Sequence, residues 1–468
     1  MLYEGLTHLE ADGTVSLALA KNITVSSDQT EYLFTLRPSC WSNGDPLTAY
    51  DFEASWKQVV SPLFNSSAAE LLYLIKNAEK IKKNKCSINE LGVKAIDSHT
   101  LKVELEHPTP YFLQLTSYPT YFPVPKTGRK AYVPLNPKQL ITNGPFKLVL
   151  WKNNNEIRLE KNPYFWDEKE VRIKKLHIIH ISDELIPLYL FEKNRLDWVG
   201  GLISPLPLSS LSDLKKSKLL KNHQPCGTTL CLFNVTSFPL SNLNIRKALS
   251  YAIDTKIFEN MIFSHIPATE LLDTNFEKEK HASTELENRY VLANQYFELG
   301  LKELGLLKQD FPKLIYYYYS HEIQRNTALV MQNQWKEVLG INVELQTSEF
   351  KTFYSNLKKG KFMLAQTTWV SQYMDSMAVM RRFESKESSQ NFGNWENLSY
   401  KDLMKQCNCS SQEKRKDCIK KGKSILFEEA PMIPLYYFSP NYVQNPHLKN
   451  VVISPLGYPH FRKAYFDL

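Results

Sequence analysis

Residues 40–60 read CWSNGDPLTAYDFEASWKQVV, and the order of signals in this stretch sets the fold class. Just ahead of it Tyr32, Phe34 and Leu36 recur at period two, the mark of a strand with one buried face. Asn43-Gly44 then supplies a turn. Thr48 and Asp51 stand at capping-box spacing: the Thr oxygen can accept from the amide three residues on, and the Asp side chain can reach back. Phe52, Trp56, Val59 and Val60 fall on one face of the helix that follows.

Outward from this stretch the same logic continues. Leu101, Val103 and Leu105 alternate and stop at His107-Pro108. Asn143-Gly144-Pro145 opens a new region, where Phe146, Leu148 and Leu150, a polar turn at 153–155, then Ile157 and Leu159 predict a hairpin. A strand over 173–181, a helix capped by Ser182 and running through Phe191, and a strand over 196–199 have the βαβ pattern of a mixed or parallel sheet. Further on, 230–235 reads as a strand, and Asn242 precedes a helix with Ile245, Ala248, Leu249, Ala252 and Ile253 on one face. A strand over 314–319 precedes a helix from about Glu322 to the C′ glycine Gly340. Ile341, Val343 and Leu345 alternate, a helix ends near Gly360, and strands follow over 362–369 and, after a last helix, 433–438. The fold class is α/β in at least two lobes.

Composition narrows the function. With 468 residues, 43% hydrophobic and 23% charged, the chain is a folded protein too long for one ordinary core. No run approaches the ~18 apolar residues that a membrane span needs. The net charge is +8, with lysines gathered at Lys76, Lys80, Lys82, Lys83 and Lys85 and again within 414–423. These read as solvated faces, and with no recognisable nucleic-acid module no nucleic-acid partner is expected. The 25 Tyr, 24 Phe and 8 Trp imply aromatic-rich cores and leave room for an aromatic-lined pocket. Seven cysteines leave at least one without a partner in the chain. Cys407, Cys409 and Cys418 lack a Cys-x-x-Cys pair or a nearby His, so a local disulfide in an exported protein is preferred to a metal site. Nucleophile elbow, P-loop, dinucleotide glycine motif and His-Glu-x-x-His are all missing, and His180, His265 and His321 are scattered. No catalytic residue, cofactor or enzyme activity is expected. Residues 1–10, MLYEGLTHLE, lack the features of a signal peptide and read as a strand already inside a domain.

Five segments together resemble one family. YEGL at 3–6 leads to LR at 36–37 and then to Trp41, Ser42, Gly44, Pro46, Thr48, Ala49, Asp51, Phe52 and Trp56, with Asn43 where the family usually has Asp. Residues 143–146 (NGPF) with 159–167 (LEKNPYFWD), Asn234 with Arg246–Asp254, 335–345 (WKEVLGINVEL) and 430–437 (APMIPLYY) complete the set. In this order they resemble the periplasmic oligopeptide-binding proteins, family 5 of the transporter solute-binding proteins, over essentially the whole chain. The resemblance implies a bilobal periplasmic-binding-protein fold (type II, cluster C like) with an extra lobe. A second lobe would take 2–126, a first lobe 127–231 plus 441–468, and a third 232–440. The family carries a segment ahead of YEGL that this chain does not show, which suggests a fragment of a longer precursor or a start shifted downstream.

By the same resemblance the protein would be the monomeric, periplasmic or cell-envelope component of an ABC importer, working with permease subunits. An extended oligopeptide would lie in an interlobe cleft, held mainly through backbone bonds. The pocket strand would be 365–373: Thr368 and Val370 would bond the peptide through their backbones, and Trp369 would flank it. Phe350 falls where the family usually has a pocket Trp, and Tyr436, Tyr437 and Phe438 would add aromatic walls. Gln372 stands where the family has an aspartate for the peptide's amino terminus, and Gln366 where an arginine can meet a carboxylate. Two ionic anchors become neutral amides, and Asp375 could replace the missing negative charge or simply cap the next helix. The cargo would then be a peptide with a blocked or displaced terminus, a modified peptide such as a cell-wall fragment, or nothing tightly bound in a degenerate copy. Nickel chelate, haem and oligosaccharide stay open as other cargoes of the same fold.

Overall fold

The structure is a computed structural model and describes residues 1–66, 68–125, 140–202, 204–261, 266–271, 286–409 and 412–467. Two compact units divide the chain: Met1–Leu206 with Gln372–Met374 and Tyr442–Leu468, and Pro207–Ser371 with Asp375–Asn441. The lobe boundary expected at 126/127 lies outside the described residues, as does His265. The one expected at 231/232 falls within a strand, and the second unit begins earlier, at Pro207.

In the first unit, β1 (Glu31–Leu36) has the alternating burial its sequence predicts. It lies between Ala20–Val25 and β2 (Thr100–Glu104) in a four-stranded antiparallel sheet closed by Val93–Ala95. Helix α1 (Ala49–Val60) starts at the predicted box, where the Thr48 N–H donates to the Asp51 carboxylate at 2.9 Å. Phe52, Trp56 and Val60 are fully buried, and the Trp56 indole donates to the Tyr121 carbonyl at 2.8 Å.

β3 (Phe146–Lys152) and β4 (Glu156–Lys161) form the predicted hairpin, with β5 (Lys175–Ile179) as third strand. The helix after it, α2 (Ile186–Glu192), starts later than predicted. Its first amides are taken by Asp183, whose Oδ1 accepts from Leu185 and Ile186 at 2.8 and 3.0 Å, so Asp183 and not Ser182 opens it. The βαβ unit does not form either. β6 (Trp198–Gly200) takes an antiparallel partner from residues 442–444, in a different sheet from β5. Three distant segments are tied by charge: Arg462 contacts both Glu4 (3.0 Å) and Asp167, and the Trp166 indole donates to Glu4.

The second unit is built on one six-stranded sheet. Its order is Ile266–Pro267, β11 (Met432–Phe438), β7 (Gly227–Phe233), β10 (Leu364–Val370), β8 (Leu314–Tyr319) and β9 (Val343–Ser348). β7 runs antiparallel to both neighbours, and β8 runs parallel to β9 and β10. Every residue of β7 is buried, as expected of a central strand covered on both faces. Against one face pack α3 (Leu243–Tyr251), α4 (Leu286–Leu304) and α5 (Glu322–Leu339), bringing Ile245, Leu249, Phe297 and Trp335 onto Cys231, Tyr316 and Leu364. Asn242 caps α3 by accepting from Ile245 at 3.1 Å. α5 stops at Gly340, whose φ of +72° is the left-handed geometry that favours glycine. On the other face, α6 (Phe350–Lys358) sets Phe353 against Tyr317 at 4.9 Å. α7 (Leu398–Cys409) and α8 (Gln412–Glu429) form an αα-hairpin further along the chain.

Candidate functional site

Hydrogen bonds at both ends of β10 fix which way its backbone faces. The Asn234 N–H donates to the Met363 carbonyl at 2.9 Å, and the Ser371 N–H to the Cys226 carbonyl at 3.3 Å. Between them the register runs unbroken from Phe233↔Leu364 to Gly227↔Val370. In an antiparallel pair the bonded positions recur every second residue. Odd-numbered residues of β10 therefore bond β7, and Gln366, Thr368 and Val370 turn their amides and carbonyls to the opposite flank. On that flank β8 pairs only at Tyr316↔Leu364 and Tyr317↔Ala365. Beyond Tyr317, whose pairing with Ala365 also takes the Gln366 N–H, β8 continues along β9 to Tyr319↔Ser348, and among the described residues no strand pairs with that flank of Thr368–Val370. The result is an interior strand left half-open along one flank. Its last carbonyl, on Val370, accepts from Arg382 Nη2 at 2.9 Å.

Close approach of β7 makes this register possible. A Cβ on Gly227 would lie 2.6 Å from the Trp369 carbonyl oxygen and 3.1 Å from Val370 Cα, so only glycine fits there.

The side chains of β10 divide by parity. Gln366 and Thr368 share a face with Leu364 and point toward α3, α4 and α5. Gln366 is wholly buried: its Oε1 accepts from the Tyr316 hydroxyl at 3.0 Å, and its Nε2 has no hydrogen-bond partner among the described residues. The sequence reading put Gln366 at a ligand's carboxylate end. The structure corrects this, because period two turns its side chain into the core. The Thr368 hydroxyl pairs with that of Thr229 at 2.8 Å. Trp369 points the other way, 3% exposed, against Phe383 (5.2 Å) and under the Arg382 guanidinium (4.8 Å). Its indole N–H has no hydrogen-bond partner among the described residues.

The remaining candidates scatter. Gln372 is half-buried and groups with the first unit. Phe350 is exposed on the first turn of α6, edge-on to Tyr319 at 5.3 Å. Tyr436 is core and not a pocket wall: it lies 5.3 Å from Phe258, its hydroxyl is 3.4 Å from that of Thr327, and burial pushes its pKa up to about 12. Tyr437 is buried beside Ala268 and Ile266, and Phe438 is half-buried at the end of β11. Asp375 Oδ1 accepts from the Met377 N–H at 2.9 Å and from Arg415 at 2.5 Å. It thus opens the short helix Met377–Met380, and its charge is already compensated. Sequence reasoning missed Arg382, Arg415, Thr229 and Gly227; the strand register alone identifies the last two.

Among the described residues no group of three His, Cys, Asp or Glu side chains is placed to hold a metal ion, and no helix is long and apolar enough to cross a membrane. His321 accepts from the Ile323 N–H at 3.3 Å and caps α5.

Known proteins agree with this architecture. The family described as bacterial extracellular solute-binding proteins, family 5 Middle, matches residues 14–391. The oligopeptide-binding protein OppA of Bacillus subtilis (strain 168) is 36% identical over 475 residues, covering 99% of this chain and 87% of the relative. The structure of Listeria monocytogenes OppA bound to peptide is similar at a TM-score of 0.86 and 27% identity, covering 100% of this chain and 94% of that one. The Escherichia coli murein tripeptide binding protein MppA gives 0.91 and 26%, covering 99% and 92%. The α/β periplasmic-binding-protein fold expected from the sequence is the fold these proteins share.

Proposed function

The chain belongs to the bacterial extracellular solute-binding proteins of family 5, and from that premise we propose that it is the peptide-binding component of an ABC importer. It is a solute-binding protein and not an enzyme. The observation that carries the peptide reading is the half-open flank of β10. An extended peptide adds there as a strand, and its backbone bonds the carbonyl of Gln366, the N–H and carbonyl of Thr368 and the N–H of Val370. Each such bond contributes about 1 kcal/mol net and ignores the peptide's side chains, so affinity comes without sequence selectivity. Trp369 is the aromatic side chain closest in sequence to these groups and lies on the opposite face from Gln366.

Charge sets the second feature. Gln372 carries none, and the Asp375 carboxylate is held by Arg415. A free ammonium at this end of the strand meets no available carboxylate from these two residues, and burying it unpaired is costly by several kcal/mol. The cargo is therefore a peptide with a blocked or displaced amino terminus. The likeness to a murein tripeptide binding protein favours cell-wall peptides among these. The first unit would comprise the two lobes expected from the sequence, and the protein would act as a monomer outside the cytoplasmic membrane with permease subunits as partners.

Mass spectrometry of whatever co-purifies, followed by calorimetry with matched free-amine, N-acetylated and cell-wall peptides, tests this. Peptides in the extract and tighter binding of the blocked forms are expected. No peptide in the extract and no heat from any peptide would overturn the reading.

A further inference from the structure

The α7–α8 hairpin carries two buried thiols that neither the strand edge nor its ligand uses. On α7, Tyr400, Met404 and Cys407 are buried at helical spacing, and on α8, Cys418, Ile419, Gly422 and Leu426. Gly422 gives the register between the helices: a Cβ there would meet Met404 Cε at 2.9 Å and Tyr400 Cε2 at 3.5 Å. The helices are neighbours, and contact of Gly422 with both Met404 and Tyr400 sets them side by side. One helical turn from Gly422 toward the apex is Cys418, and the matching step on α7 leads from Met404 to Cys407. The two thiols are brought to the same level of the hairpin, both unbonded and buried, 1% and 8% exposed, and Cys418 lies near enough to raise the Cys407 pKa.

We propose that Cys407 and Cys418 are a disulfide-forming pair that closes the α7–α8 hairpin when the protein folds in an oxidising compartment. The reaction is thiol–disulfide exchange with a small-molecule or protein disulfide. One protein thiolate attacks the disulfide and expels one thiolate; the second protein thiolate then attacks the mixed disulfide and expels the other. Two protein thiols are oxidised to one S–S bond, one disulfide is reduced to two thiols, and the protons stay balanced. Burial raises the Cys407 pKa to about 12, so in the closed hairpin Cys407 is a poor nucleophile and the bond forms while the hairpin is folding or transiently open. Its consequence reaches the binding strand. Arg415, one turn before Cys418 on α8, holds Asp375 just past the end of β10. A closed hairpin fixes that anchor.

The test treats the full chain with oxidised glutathione in two arms, native and during refolding. Both are then unfolded, alkylated with N-ethylmaleimide and digested without reductant. The expected result is a peptide linking Cys407 to Cys418 in at least the refolding arm, with alkylated thiols falling from seven to five. The link should persist in Cys409→Ser and vanish in Cys418→Ser, and the oxidised chain should melt a few degrees higher than the reduced one. Seven alkylated thiols in both arms, glutathione left as a mixed disulfide on either residue, or a link through Cys409 would overturn it.

Discussion

Arg415 Nη2 lies 2.5 Å from Asp375 Oδ1, with the two side chains only 14% and 12% exposed. A charge pair this dry is sensitive to losing one member, because the survivor stays in a poorly solvated place. Arg415→Ala should cost about 2–3 kcal/mol of unfolding free energy, read from urea melts. It should also free the Asp375 charge, so free-amine peptides should gain affinity relative to their N-acetylated forms. If the ratio of the two affinities stays fixed while stability drops, Asp375 has no influence on the ligand.

Gln372→Asp restores a carboxylate where the family resemblance places one. If the neutral amide sets the preference for blocked termini, the variant should bind free-amine peptides about tenfold more tightly, a change of about 1.4 kcal/mol, with little change for acetylated ones. Calorimetry on matched pairs decides this, and equal effects on both would show that residue 372 does not face the amino terminus.

Neighbouring proline substitutions separate the two flanks of β10. The Thr368 N–H faces the open side, so Thr368→Pro should weaken peptide binding about fivefold for one lost bond while leaving the β7 ladder in place. The Trp369 N–H faces β7, so Trp369→Pro should lower the melting temperature far more. Reversed effects would mean that the parity assignment is inverted.

Much of this was legible in the sequence because local chemistry decided it. The Thr48–Asp51 box, the Asn242 cap and the Gly340 stop act over a few residues, and each sits where its pattern placed it. The β5–α2–β6 segment misled because the partner of β6 lies some 240 residues downstream, and nothing local reveals an antiparallel strand arriving from 442–444. The site failed in part for the same reason. Gln366 and Trp369 look like neighbours in a pocket motif, yet their odd spacing on a strand sends one into the core and the other to the opposite face. Tyr436 was an aromatic in the right strand on the wrong face. Arg415 could not be found from sequence, because it reaches Asp375 only through the packing of α8.

Acid should loosen the first unit. His460 lies edge-on to His8 at 5.1 Å, and burial, helped by the neighbouring His8 and the amino terminus, lowers its pKa from 6.5 to about 3. In the unfolded chain the same imidazole takes a proton near 6.5, so below that pH the unfolded state binds more protons and stability falls. The loss begins near pH 6.5 and continues down to about pH 3, where the folded state also protonates. The melting temperature should drop between pH 6.5 and 5, and His460→Gln should flatten that slope; an unchanged slope would mean that other groups carry the acid response.

Gly227 gives the sharpest link between packing and binding. With the Trp369 carbonyl 2.6 Å from where a Cβ would sit, even alanine has to push β10 away from β7, and the obstacle is backbone that cannot rotate aside. Overpacking of this kind costs about 1–3 kcal/mol. Because Gly227 pairs with Val370, the displacement falls on the open end of the edge, where Thr368 and Val370 present their amides. Gly227→Ala should therefore lose peptide affinity along with stability. An alanine placed instead at Gly305, where a Cβ meets nothing within 4 Å, should leave affinity unchanged even though its φ of +65° strains the backbone. Equal affinities for the two variants would mean that the position of β10 against β7 does not govern binding.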